Sequence, residues 1–166
     1  VAHEVLISLE YRQNPERFFS RLTSDDTLAI FFWQAETVLQ RSGTYFLNLP
    51  VSVLCDPHAI EPLLAFAHEN RLVIELQDPE NALTLDEKSK QNLIWNIWRL
   101  RKYGWMIWLD DWKASFHRFY RDAGIVFDGI KLDRSLASSR QLARLIKMAR
   151  QLALFVLVEG IETEAL

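Results

Sequence analysis

The chain has 166 residues, enough for one domain with a real core, and its 49% hydrophobic and 25% charged residues exclude a disordered polymer. A net charge of −3 gives no electrostatic case for direct nucleic-acid binding or for an anionic membrane surface. The lone cysteine, Cys55, excludes an intrachain disulfide, and no apolar run is long enough to span a bilayer, so the expected setting is the reducing cytoplasm, as a free protein or as part of a larger one.

In chain order, Val5 to Leu9 reads as a strand with Glu4 at its start, and Pro15 to Arg21 as a short helix. Asp25 or Asp26 caps a longer helix in which Leu28, Phe31, Phe32, Ala35, Val38 and Leu39 recur at helical spacing, ended by Gly43. Thr44 to Leu49 is the next strand, and Pro57 to Asn70 a helix with Ile60, Leu63, Leu64 and Ala67 on one face. Leu72 to Leu76 is a strand. Thr84 and Glu87 form a capping box that opens a helix through Lys102, closed by Gly104. Trp105 to Leu109 is a strand, Phe116 to Arg121 a short helix, and Ile125 to Leu132 a strand. Ser138 or Ser139 caps the last helix, and Leu154 to Val158 is the final strand.

Six strands alternating with helices predict an α/β fold with a parallel sheet. A closed eight-fold barrel needs about 200 residues or more, so this chain is short for one.

Most strand-like runs carry a residue suited to phosphate or metal chemistry near one end: Glu4, Asn48, Glu75, Asp110 with Asp111, Lys131 and Glu159. Taken singly, Asn48 and Asp110 are explained equally well as helix caps. Glu75 and Glu159 are not, because Glu caps poorly and each follows a buried-type run; such a carboxylate needs a cation or a hydrogen-bond network. Carboxylate and amide oxygens suit hard divalent ions. His3, His58, His68 and His117 are scattered, which argues against zinc. Lys131 would neutralise a phosphate or orient a water, or else pair with Asp133 or Asp110. Arg140, Arg144, Lys147 and Arg150 share a helical face that suits an acidic partner or plain solvation. Trp95 and Trp98 cannot easily both face inward, which makes one of them a candidate interface residue.

Together these residues resemble the EAL domain of bacterial cyclic-di-GMP signalling. Glu4-Val5-Leu6 resembles its Glu-Ala-Leu signature, Asn48 its Asn strand, and Glu75-Leu76-Gln77-Asp78 its Glu-Leu-Thr-Glu. Asp110-Asp111-Trp112 resembles Asp-Asp-Phe, Asp128 to Asp133 the Lys-containing strand, and Glu159-Gly160-Ile161-Glu162-Thr163 the late Glu-Gly-Val-Glu-Thr loop. The literal Glu164-Ala165-Leu166 is a decoy, since it follows that late loop.

The resemblance implies a TIM-like (β/α)8 barrel with one irregular strand direction, here incomplete: residues 1–166 as a single EAL-like domain lacking the first strand and the last βα units. It implies two Mg²⁺ or Mn²⁺ ions held by Glu4, Asn48, Glu75, Asp110 and Asp111, with Lys131 and Glu159 orienting or deprotonating the water. Leu6, Ser8, Asp133 and Glu162 would contact cyclic-di-GMP, whose hydrolysis yields pGpG. Three departures stand out: Ser8 replaces a phosphate-gripping Arg, Lys113-Ala114-Ser115 replaces Gly-Thr-Gly, and Asp78 replaces Glu. They favour a degenerate module that acts as a nucleotide sensor or protein-binding regulator with weak or no hydrolysis. The alternative is an active metal-dependent phosphodiesterase. A protein partner or a second copy of the chain completes the expected partners.

Overall fold

Each apolar run becomes a strand laid beside the one before it. The computed structural model describes residues 2–7, 14–19, 21–68 and 70–160. Its strands are β1 (Ala2–Val5), β2 (Thr44–Pro50), β3 (Leu72–Gln77), β4 (Met106–Trp112), β5 (Phe127–Leu132) and β6 (Ala153–Val158). They form one sheet in the order β1-β2-β3-β4-β5-β6, with every neighbouring pair parallel. The connections carry α1 (Pro15–Phe19), α2 (Ser24–Leu39), α3 (Val51–Cys55), α4 (Ile60–Ala65), α5 (Glu87–Lys102), α6 (His117–Asp122) and α7 (Leu142–Ala149). Among the described residues, no helix is long and apolar enough to cross a membrane.

The sheet is curled. In a flat sheet, four spacings of about 4.8 Å would hold β1 and β5 roughly 19 Å apart. An extended lysine and glutamate together span only roughly 11 Å. Yet Lys131 of β5 reaches Glu4 of β1 at 3.1 Å, so the strands bend round into part of a barrel wall. The outer face carries the core: Leu47, Leu49, Ile74, Leu76, Ile107 and Leu109 are wholly buried beneath the helices. Chains that alternate in and out along a strand place the other set on the concave face.

The register has a regular stagger. Glu4 pairs with Phe46, two residues before Asn48; Glu75 pairs with Trp108, two before Asp110; Lys131 pairs with Leu157, two before Glu159. Asn48 and Glu75 are directly paired. The polar residues therefore climb two positions at every second strand boundary, the shear of an eight-stranded barrel.

Several element boundaries differ from the sequence reading. Glu4 lies inside β1 and not ahead of it, because the strand begins at Ala2. The helix α2 is capped by Thr23, whose hydroxyl accepts from Asp26 N while the Asp26 carboxylate accepts from Thr23 N, so Asp26 completes the box and does not cap it. The helix expected over 57–70 is shorter, α4 at Ile60–Ala65; α3 ahead of it was not expected, and between the two lies a turn at Asp56, whose carboxylate accepts from His58 N. Asp86, accepting from Ser89 N at 2.7 Å, caps α5; Thr84 ends a 3₁₀ turn. Neither Ser138 nor Ser139 caps α7, which follows Gln141. Buried Asn96 donates to Leu54 O at 2.9 Å and Trp105 Nε1 to Leu63 O at 3.0 Å, tying the ends of α3 and α4 to later elements.

Candidate functional site

The concave face gathers the charged residues near the carboxyl ends of their strands. Lys131 Nζ lies 2.6 Å from Glu75 Oε1, 3.1 Å from Glu4 Oε2, 3.3 Å from Glu159 Oε1 and 3.7 Å from Asp110 Oδ1. Four elements thus converge on one ammonium. The contact with Glu4 has hydrogen-bond geometry. That with Glu75 is the shortest of the four, an ion pair to a fully buried carboxylate. Asn48 Oδ1, on the paired residue of β2, is buried and unpartnered, so Asn48 caps no helix.

Local sequence explains the placement. Leu109 pairs with Ile130 and Trp112 with Leu132, so β4 spends one residue more than β5 over this stretch. That bulge lies at Asp110-Asp111, and Asp111 adopts a left-handed φ of +43°. It lets Asp110 face Lys131 while Trp112 turns outward and is fully buried. Glu159 N donates to Leu132 O at 3.2 Å, extending the β5–β6 ladder by one residue and fixing the start of the late loop. Gly129 leaves room for the Trp108 indole: a Cβ there would stand 2.2 Å from Trp108 Cε2. Trp108 meets Phe46 edge-on at 5.0 Å and lies parallel to Phe155 at 6.5 Å, making an aromatic floor.

The electrostatics follow from burial. Glu75 is fully buried, and burial pushes its carboxyl up to about 7, with Lys131 pulling it down and Asp110 and Glu4 pushing it further up. Burial, with Asp111 and Glu159 nearby, raises Asp110 to about 6 against the pull of Lys131. Asp111 is raised by burial and by Asp133 and Glu159. For Lys131, burial alone would lower the value, but Glu75, Asp110 and Glu4 hold it above its ordinary range.

The remaining expected residues lie apart from this cluster. Asp111 is exposed and makes no ion pair with Lys131 within 4 Å among the contacts described. Asp133 accepts from Ser135 N at 2.7 Å and starts a 3₁₀ turn, which holds its carboxyl below the usual range. Leu6 is 74% exposed. Ser8 and Glu162 lie outside the described residues, as does the terminal Glu-Ala-Leu. Asp78 takes a φ of +53° ahead of a 3₁₀ turn, and Ala114–Phe116 forms another. Arg140, Arg144, Lys147 and Arg150 are all exposed. Trp95 and Trp98 are both about half exposed, stacked on one another at 4.9 Å.

A cleft of about 700 Å³ opens beside Asn48, lined also by Leu6, Phe31, Gln34, Gln77 and Asn81. Sequence reasoning passed over Gln34, Gln77 and Asn81. Gln34 had a visible signal, a polar residue on the buried stripe of α2 with Phe31, Ala35 and Val38.

The donor chemistry suits a hard divalent ion: a buried, unpartnered amide oxygen on Asn48, and four carboxylates against one ammonium. Among the described residues, no three His, Cys, Asp or Glu side chains already stand at metal-binding spacing; the Lys131 ammonium stands between them.

Among solved structures, an EAL domain protein from Listeria monocytogenes EGD-e matches with a TM-score of 0.60 at 17% identity, over 89% of this chain and 62% of that one. The Klebsiella pneumoniae protein BlrP1, solved at pH 9.0 as a manganese and cyclic-di-GMP complex, matches with a TM-score of 0.61 at 20% identity, over 89% of this chain and 42% of that one. The chain thus spans less than two thirds of the length of either structure. At such identities the likeness carries the fold alone. No curated protein matches. The family model described as the EAL domain matches residues 1–166. The chain therefore belongs to the EAL domain family.

Proposed function

We propose that this chain is a cyclic-di-GMP-responsive EAL module in which nucleotide binding outlasts hydrolysis, acting as a sensor or as a regulator of a protein partner. The observation that carries the reading is the Lys131 ammonium drawn in among Glu4, Glu75, Asp110 and Glu159. A charge held that tightly resists the rearrangement that turnover requires. Ser8 in place of an arginine weakens the grip on a phosphate, since a hydroxyl offers neither charge nor a bidentate fork.

A second reading, an active phosphodiesterase, is favoured by the buried, unpartnered Asn48 Oδ1 beside the Glu75 carboxylate. Glu4, Asn48, Glu75 and Asp110 would hold Mg²⁺ or Mn²⁺, with Asp111 serving a second ion. Bound there, the ions would supply the Lewis-acid charge that phosphodiester hydrolysis needs. Glu159 would take a proton from water as its oxygen bonds to phosphorus. The ester P–O bond would break, and its leaving oxygen would take up a proton to give pGpG. Lys131 would orient the water.

The two separate on incubating the full chain with cyclic-di-GMP and Mg²⁺ or Mn²⁺, measuring binding by equilibrium dialysis and pGpG by chromatography. Binding with at most trace pGpG is expected. Sustained pGpG formation that disappears in Glu4→Ala would establish the phosphodiesterase instead. Ser8→Arg is expected to tighten nucleotide binding about tenfold, one charge-assisted contact's worth.

A further inference from the structure

Lys131 has more partners than a buried lysine needs. Glu75, fully buried and 2.6 Å away, would by itself neutralise the ammonium. Glu4 and Glu159 arrive from the two edge strands and remain partly exposed, so both acids are held toward the ammonium from strands lying on opposite sides of the site. The four carboxylates outnumber the ammonium by three charges when all are ionised. Such a surplus draws a hard divalent cation, yet the point of convergence already holds a cation supplied by the chain itself.

A divalent ion coordinated by these oxygens would sit about 2.0–2.6 Å from them. The ammonium is bound to the same oxygens at 2.6 and 3.1 Å, so the two positive centres cannot share them without strong repulsion. Building on the metal site considered above, we infer that Lys131 is an internal competitor for the divalent cation: its ammonium holds the cation-free site together and must withdraw from Glu75 and Glu4 for the ion to be bound there. The lysine thereby sets the cation concentration at which the site fills. It acts through the ligands, as a positioning residue. The flexible four-carbon stem, with its compact ammonium, is suited to such a withdrawal; a planar guanidinium is not.

The test titrates Mn²⁺ alone, by calorimetry, into the full chain and into Lys131→Met, which keeps the length and loses the charge. Lys131→Met is expected to bind Mn²⁺ about tenfold or more tightly, and Lys131→Arg no more tightly than the unaltered chain. Equal or weaker binding by Lys131→Met, with the unaltered chain still binding, overturns the competitor and leaves the metal site standing. Absence of Mn²⁺ binding in both overturns the two together. Because four acids without their counter-charge could unfold the variant, a second measurement uses the unaltered chain. Acetic anhydride labelling of Lys131, read by mass spectrometry, is expected to rise several-fold on Mn²⁺ saturation. Unchanged or reduced labelling overturns the inference.

Discussion

Glu75 combines complete burial with an ion pair to the Lys131 ammonium. Its carboxyl is moved by burial from 4.5 up to about 7, and that of Asp110 from 3.8 up to about 6. Both shifts are upward, so the folded protein keeps protons that the unfolded chain has already released. The stability these groups contribute is whole below their ordinary values and is lost as pH rises through about 6 and about 7. With cations chelated, the urea midpoint is expected to fall between about pH 4 and about pH 7 and to level off above, and Glu75→Gln to flatten much of that slope. A slope unaltered by Glu75→Gln would show that the burial of this carboxyl is not what the protein feels. Asp133, two positions after Lys131 in the sequence, is the opposite case. There a local amide from Ser135 lowers the carboxyl's value and keeps it out of the cluster.

At the scale of single elements, β4 and β5 decide the shape of the site. Their pairing seats the Trp108 indole directly over Gly129, which has no Cβ to oppose it. Gly129→Ala is expected to displace the ring and cost about 1–3 kcal/mol in urea denaturation, with Trp108→Leu recovering much of that loss in the double variant. Simple addition of the two single costs would mean that the glycine serves something other than the ring. The strands themselves were legible from their apolar runs, and so was the need of Glu75 for a cation or hydrogen-bond partner, which Lys131 supplies. The bulge at Asp110-Asp111 was not, since nothing in Leu-Asp-Asp-Trp distinguishes an extra residue from ordinary alternation. Short helices were also hidden: α3 follows β2 directly, and its five residues are too few to show a helical period.

For the molecule as a whole, the curl of the sheet brings the acids together, and the stagger decides which acids meet. Residues at one height of a tilted barrel wall do not lie in one register row, so spacing along the chain could name the candidates but not show that Glu4 would reach Lys131. Among the described residues β6 pairs on one side, with β5, and its Leu154, Phe155 and Leu157 are 70%, 63% and 44% exposed. Exposed apolar edge strands invite self-association. Leu154→Lys is expected to raise the concentration at which light scattering begins, while shifting stability by less than about 0.5 kcal/mol. A large fall in the urea midpoint would reveal that Leu154 packs against something.

The contact between Lys131 and Glu4 also has a consequence in time. The two residues are 127 positions apart. At ribosomal speeds of about 5–20 residues per second, roughly 6–25 seconds separate their synthesis. Until Lys131 is made, Glu4, then Glu75 and then Asp110 emerge without this ammonium, and their mutual repulsion opposes premature closure of the wall. The late lysine is thus the clasp that the growing chain fastens only after three of its four acids are laid down, with Glu159 still to come.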